Sequence, residues 1–100
     1  MFLWCNRGAV QLQFNADGVL YCISVWQGYF GRFADAIQIG DRLDKVLALT
    51  NLVHDSGDEA HYPVEDSPIR GIAFFGEDQP LEDSPEQIIR GISVQDWSLQ

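Results

Sequence analysis

Val10-Gln11-Leu12-Gln13-Phe14 alternates apolar and polar side chains with a period of two, the pattern of a strand with one buried face. Asn15-Ala16-Asp17-Gly18 follows with turn chemistry, Gly18 being free to take a positive φ. Val19 to Trp26 is then apolar on both faces and rich in β-formers, which predicts a more central strand closing a hairpin. Two glycines amid aromatics interrupt the pattern at Gln27–Phe33, and Ile37–Gly40 reads as a short extended piece.

From Asp41 the spacing changes. Leu43, Val46, Leu47 and Thr50 recur at helical intervals, predicting one amphipathic helix to about Leu52 with Asp41 as its N-cap and Asp44 in its first turn. Residues 53–68 are polar and acidic, with a short strand expected around Ala60–Val64. Ile69–Phe75 and Ile88–Val94 read as two further strands. The expected fold is α+β, one domain over residues 1–100: a mostly antiparallel sheet of four to five strands with one principal amphipathic helix packed on one face.

A nearly repeated phrase punctuates the second half. Glu65-Asp66-Ser67-Pro68 leads into Ile69-Arg70-Gly71-Ile72, and Glu82-Asp83-Ser84-Pro85 leads into Ile89-Arg90-Gly91-Ile92. Ser-Pro after two acids favours a turn, so each tetrapeptide reads as a solvated loop feeding a strand. A glycine inside a strand points to a bulge or a close backbone approach, and Arg70 and Arg90 are placed to neutralise nearby carboxylates. If the two strands pair antiparallel, the acidic turns fall at opposite ends of strands roughly 23 Å long. They then form separate lobes, beyond the ~8–10 Å Debye length.

Charge changes the picture most. The net charge is −9, and residues 55–86 hold ten carboxylates against the single cation Arg70, while the remainder balances five acids against five bases. That field repels nucleic acid and anionic membrane and attracts basic partners, so direct nucleic-acid or membrane binding is not expected. The first ten residues have no basic flank ahead of an apolar run, so no secretory signal is read there and a cytoplasmic location is expected. Cys5 and Cys22 form no C-x-x-C pair and read as reduced thiols, with Cys22 packed as a small hydrophobe.

Candidate chemistry is sparse. There is no phosphate loop, nucleophile elbow or cysteine-based metal signature, and no enzyme activity or cofactor is expected. His54-Asp55-Ser56-Gly57-Asp58-Glu59-Ala60-His61 is the one constellation with metal-ligating or acid–base groups. It supports an alternative reading as a small metal-dependent enzyme or metal sensor centred on His54 and His61. Its spacing matches no metal motif, and a polar loop accounts for it equally. Trp26, Tyr29, Phe30 and Phe33, with Trp97 beyond the last strand, are candidate interface anchors, most of them expected in the core. A further alternative is a ligand-binding or assembly module with a pocket near Trp26, whose acidity serves solubility.

Gly28-Tyr29-Phe30-Gly31, Ile39-Gly40-Asp41 with Leu43 and Val46, the Asp-Ser-Gly-Asp-Glu loop, Tyr62-Pro63, Gly71-Ile72-Ala73-Phe74 and Gly91-Ile92-Ser93-Val94 follow one another in an order that resembles small immunity proteins of bacterial toxin–immunity systems, including those of contact-dependent inhibition. The resemblance spans roughly residues 28–97. It implies a cytosolic protein that binds and blocks a cognate toxin, often a basic nuclease, and implies no catalytic residues. The charge distribution agrees in direction. The residues expected to meet such a basic partner are Asp55, Asp58, Glu59, Glu65, Asp66, Glu77, Asp78, Glu82 and Asp83.

Overall fold

The alternation at 10–14 and the apolar run after it do form the expected hairpin. In a computed structural model, which describes residues 1–96 and 98 and Asn6 by its backbone alone, Asn15 holds the turn. Its Oδ1 accepts the amides of Asp17 at 2.9 Å and Val19 at 3.0 Å, with Gly18 at φ 78°. The rest departs from the expected architecture. Among the described residues there are seven strands in one antiparallel sheet: β1 (Phe2–Cys5), β2 (Val10–Phe14), β3 (Leu20–Trp26), β4 (Leu52–Asp55), β5 (Ala60–Pro63), β6 (Ile72–Phe75) and β7 (Gly91–Gln95). Their spatial order is β1-β2-β3-β7-β6-β5-β4.

The four-to-five-stranded α+β expectation is therefore wrong, and its principal helix does not exist. Only a six-residue 3₁₀ segment, Leu43–Ala48, stands where a helix from Asp41 to Leu52 was expected. The reason is local hydrogen bonding that outcompetes propensity. Asp41 does not cap: its Oδ2 accepts the Gln38 amide at 3.0 Å and meets Lys45 Nζ at 3.1 Å. That amide first, and Lys45 second, hold the Asp41 carboxyl below its ordinary range. The Leu43 amide donates to Gln87 O at 2.9 Å and the Ile89 amide to Asp41 O at 2.8 Å, so the start of the segment is kept extended by the returning chain. At the other end the Thr50 hydroxyl lies 2.6 Å from Ser67 Oγ, turning the backbone into β4. Leu43 and Val46 are buried as expected, whereas Leu47 faces solvent.

Register fixes which side chains meet. Phe74, Ile92 and Val25 are opposite one another on β6, β7 and β3, and Ile72, Val94 and Ile23 form the next row. Ile37, Leu43, Val46 and Ile89 pack onto Phe74, Ile72 and Ile92 from the 33–50 and 76–90 connections. Each fully buried aliphatic or aromatic chain there contributes roughly 1.5–3 kcal/mol. Phe33 joins this core edge-on to Phe74, ring centroids 6.0 Å apart. On the opposite face Ser24 Oγ donates to Ser93 Oγ at 3.2 Å and Cys22 Sγ lies 3.1 Å from the same oxygen. Cys22 is buried, but in a polar network.

Both glycines of the repeated phrase are places of close approach, Gly91 within β7 and Gly71 just before β6. Gly71 has φ 72°, and a Cβ there would stand 2.6 Å from the Gln95 carbonyl oxygen. Gly91 lies under the Trp26 indole, which tilts against Phe75 with centroids 5.1 Å apart. Gly91→Ala should therefore force the indole aside and destabilise the protein by about 1–3 kcal/mol, as overpacking does. Denaturant unfolding of the variant beside wild type measures it, and an unchanged midpoint contradicts this packing.

Candidate functional site

The nine candidate carboxylates lie at the ends of β4, β5 and β6 and in the 76–90 connection. β4 is a free edge of the sheet, and the two histidines of the sequence motif lie directly opposite each other across β4 and β5. The hairpin tip joining those strands carries Asp55, Asp58 and Glu59. Chain direction brings Glu77 and Asp78, just after β6, to the same end. Glu65 and Asp66 occupy the turn after β5, at the other end of β4, where the Val64 amide donates to Asn51 O at 3.0 Å. Between them runs the 76–90 connection, which doubles back over the core face. Pro80, Leu81 and Glu82 share a cleft of about 590 Å³ with Leu47, Leu52, His54 and His61. Asp83 is next in that run.

The two acidic turns precede adjacent antiparallel strands, residues 65–68 before β6 and residues 82–85 before β7, but the 76–90 connection doubles back and sets Glu82 against β4 instead of leaving it at the far strand end. A four-residue β4 is about 13 Å long, little more than a Debye length of ~8–10 Å, and Glu82 stands beside it.

Their side chains divide into two groups. Asp55 Oδ1 accepts the Gly57 amide at 2.9 Å and the Asp58 amide at 3.2 Å, shaping the tip. Asp58 Oδ2 accepts the Tyr62 hydroxyl at 2.9 Å, Glu77 Oε2 the Ser84 hydroxyl at 2.6 Å, and Asp78 Oδ1 lies 2.8 Å from His54 Nε2. These four build the surface. Among the described residues Glu59, Glu65, Asp66, Glu82 and Asp83 make no side-chain hydrogen bond or ion pair. Arg70 and Arg90 neutralise none of them: the lysine and arginine ion pairs are Arg42–Asp44 at 2.7 Å and Lys45–Asp41 at 3.1 Å, both outside the cluster.

His54 and His61 are fasteners in this arrangement. Their rings are 5.0 Å apart; His54 holds Asp78, and buried His61 donates through Nε2 to Gln79 O at 2.9 Å. Among the described residues no group of three or more His, Cys, Asp or Glu is arranged to hold a metal ion. Gln87 completes the fastening and had no signal in the sequence. Buried, it accepts the Glu77 amide at 3.0 Å through Oε1 and donates through Nε2 to Gln79 O at 2.9 Å and Ser84 O at 3.1 Å.

The aromatic candidates separate. Trp26, Tyr29 and Phe30 line a second cleft of about 660 Å³ with Ile39, Ile88 and Arg90, away from the acids. Phe30 is 89% exposed, Phe33 belongs to the core, and Trp97 lies outside the described residues. No helix among the described residues is long and apolar enough to cross a membrane. Comparison with protein-family models, curated proteins and solved structures returned no match.

The Tyr62–Asp58 pair has a measurable consequence. Burial first, then the bond to Asp58, pushes the Tyr62 phenol from its ordinary 10 up to about 12. A phenol that ionises later folded than unfolded stabilises the fold fully below pH 10 and loses that contribution as pH rises through about 12. Absorbance titration should show a phenolate step near pH 12 that disappears in Tyr62→Phe and moves down in Asp58→Asn. Wild-type stability should fall more steeply than that of Tyr62→Phe across pH 10–12. Equal slopes count against the pair.

Proposed function

We propose that this chain is an inhibitory binding protein that clamps a basic protein partner against its β4 border, as an immunity protein neutralises a cognate bacterial toxin. The carrying observation is the 76–90 connection. β6 and β7 are adjacent antiparallel strands whose ends, Phe75 and Gly91, are paired, so a two-residue turn could join them. Instead fifteen residues make a compact loop packed by its own side chains, the kind of segment that is usually functional. It brings Glu82 beside β4, with Asp83 next in the chain. A carboxylate surface of this kind fits the cation-lined cleft of a nuclease, speeds association and excludes acidic competitors.

The hairpin tip supports the same reading. Glu59 has φ 54°, a left-handed conformation that costs a non-glycine residue roughly 1–2 kcal/mol. Glycine there would stabilise the fold, so a glutamate at this position puts charge ahead of stability. Glu59→Gly should raise stability by about 1 kcal/mol while slowing association with the partner.

The decisive test pairs the chain with the basic carboxy-terminal domain of the large secreted protein expected in the neighbouring reading frame. Wild type should bind it tightly, with an on-rate that falls as salt rises, and should suppress its toxicity on co-expression. Neutralising Glu59, Glu65, Asp66, Glu82 and Asp83 together to Gln or Asn should slow association at least about tenfold and leave thermal unfolding no lower. Unchanged association would sink the acidic interface. A second reading, a small-ligand-binding module, is favoured by the cleft beside Trp26; under it the same five-fold variant keeps full function.

A further inference from the structure

The other edge of the sheet is the chemical opposite of β4. β1 reads Phe2-Leu3-Trp4-Cys5, with no charged side chain, and its Phe2, Leu3 and Trp4 are 60, 50 and 53% exposed. An uncharged edge, apolar on both faces, is a template for pairing with another strand. Natural sheets blunt such edges with lysine, proline or a covering element, and the described residues of β1 show none of these.

Hydrogen-bond parity shows what the edge offers. Met1 and Phe14 exchange main-chain hydrogen bonds (2.9 and 3.3 Å), and the register then runs Phe2↔Gln13, Leu3↔Leu12, Trp4↔Gln11, Cys5↔Val10. Hydrogen-bonded and non-bonded pairs alternate along an antiparallel ladder. Met1, Leu3 and Cys5 therefore turn their backbone groups inward to β2, and Phe2 and Trp4 turn theirs outward. Those two residues have the spacing for self-pairing about a two-fold axis through Leu3: Phe2 of one copy faces Trp4 of the other, twice, making four hydrogen bonds. Registers shifted by two residues either way keep only half of these within β1.

We propose that two copies of this chain pair through β1 in this register, joining their sheets into one of fourteen strands. The occupant is a second copy because the edge is complementary to itself in each respect that matters. On one face Phe2 stacks beside the opposing Trp4, an aromatic cross-strand pair. On the other, Leu3 meets its own symmetry mate and links the apolar row of exposed Leu3, half-buried Leu12 and exposed Ile23 and Val94 to the identical row of the partner. Charge permits the approach: β1 carries no acidic side chain, and residues 55–86, which hold the acidic excess, form no part of β1, β2 or β3.

Sedimentation of the isolated chain, with no partner protein present, is the first measurement, so its outcome is independent of the toxin-binding reading. The mass should be twice 11.3 kDa and fall toward the monomer on dilution, with Leu3→Lys weakening the dimer about tenfold or more by setting like charges opposite each other. Register is read by disulfide capture in a Cys5→Ser background. Leu3→Cys occupies a non-hydrogen-bonded opposed pair with Cα atoms about 4.5 Å apart, within disulfide reach, and should crosslink on mild oxidation. Phe2→Cys, roughly 8 Å from its mate by strand spacing, should not. A monomer at every concentration, an assembly larger than a dimer, or capture at position 2 in place of position 3 each overturns the proposal.

Discussion

The molecule depends on β7, the last strand in sequence and the middle strand in space. β1-β2-β3 and β4-β5-β6 are each three-stranded antiparallel meanders, and β7 alone joins them. It pairs with β3 from Cys22↔Gln95 to Trp26↔Gly91 and with β6 from Ile72↔Val94 to Phe75↔Gly91. Its side chains serve both faces. Ile92 completes the row between Val25 and Phe74 in the core, while Ser93 takes the hydroxyl of Ser24 and the thiol of Cys22 on the reverse. A central strand delivered last means that long-range loop closure precedes the burial that compensates it. The two meanders bury little without it.

That placement explains the acidic loop physically. The chain between β6 and β7 is not needed for span, since its ends are neighbours. It is needed to cover the core face that the short 3₁₀ segment leaves open, and Leu81 and Ile89 do so. A loop lying on a core must satisfy its polar backbone, and here Gln87 and His61 bond it from inside, while His54 holds the Asp78 carboxylate. The same segment is thus core lid and charged surface. Folding the lid determines where Glu82 and Asp83 stand relative to the hairpin tip.

The parts of this arrangement legible in the sequence were those with local signals. The β2–β3 hairpin was readable because period-two alternation and the Asn15–Gly18 turn act within a few residues. The strands expected at Ile69–Phe75 and Ile88–Val94 exist but begin three residues later, at Ile72 and Gly91, and the close approaches at Gly71 and Gly91 were readable for the same local reason. The helix was misread because Leu43, Val46 and Leu47 share helical spacing, whereas the deciding bonds come from Gln87 and Ile89, over forty residues away. β4 carries too few residues for periodicity, and β1 was read only for a leader. Among the site residues, the carboxylates were visible as a charge excess. Their division into structural and unpartnered groups was not, because Tyr62, Ser84 and His54 reach them only through the fold.

The two sheet edges handle the same physical problem in opposite ways, and the difference orders the whole surface. An exposed strand edge invites another strand. At β4 the invitation is restricted by charge: carboxylates at both ends and along one side repel a second acidic copy, yet attract a cationic chain. Among the described residues β1 carries no charged side chain and no proline, and its apolar side chains on both faces suit a neutral, matching strand. A sheet closed at β1 by its own copy leaves both β4 borders pointing outward, at the two ends of the pair. In the proposed pair the carboxylates around β4 also work against extension of the sheet into a fibre, because like charges would face each other at that edge whereas β1 carries none.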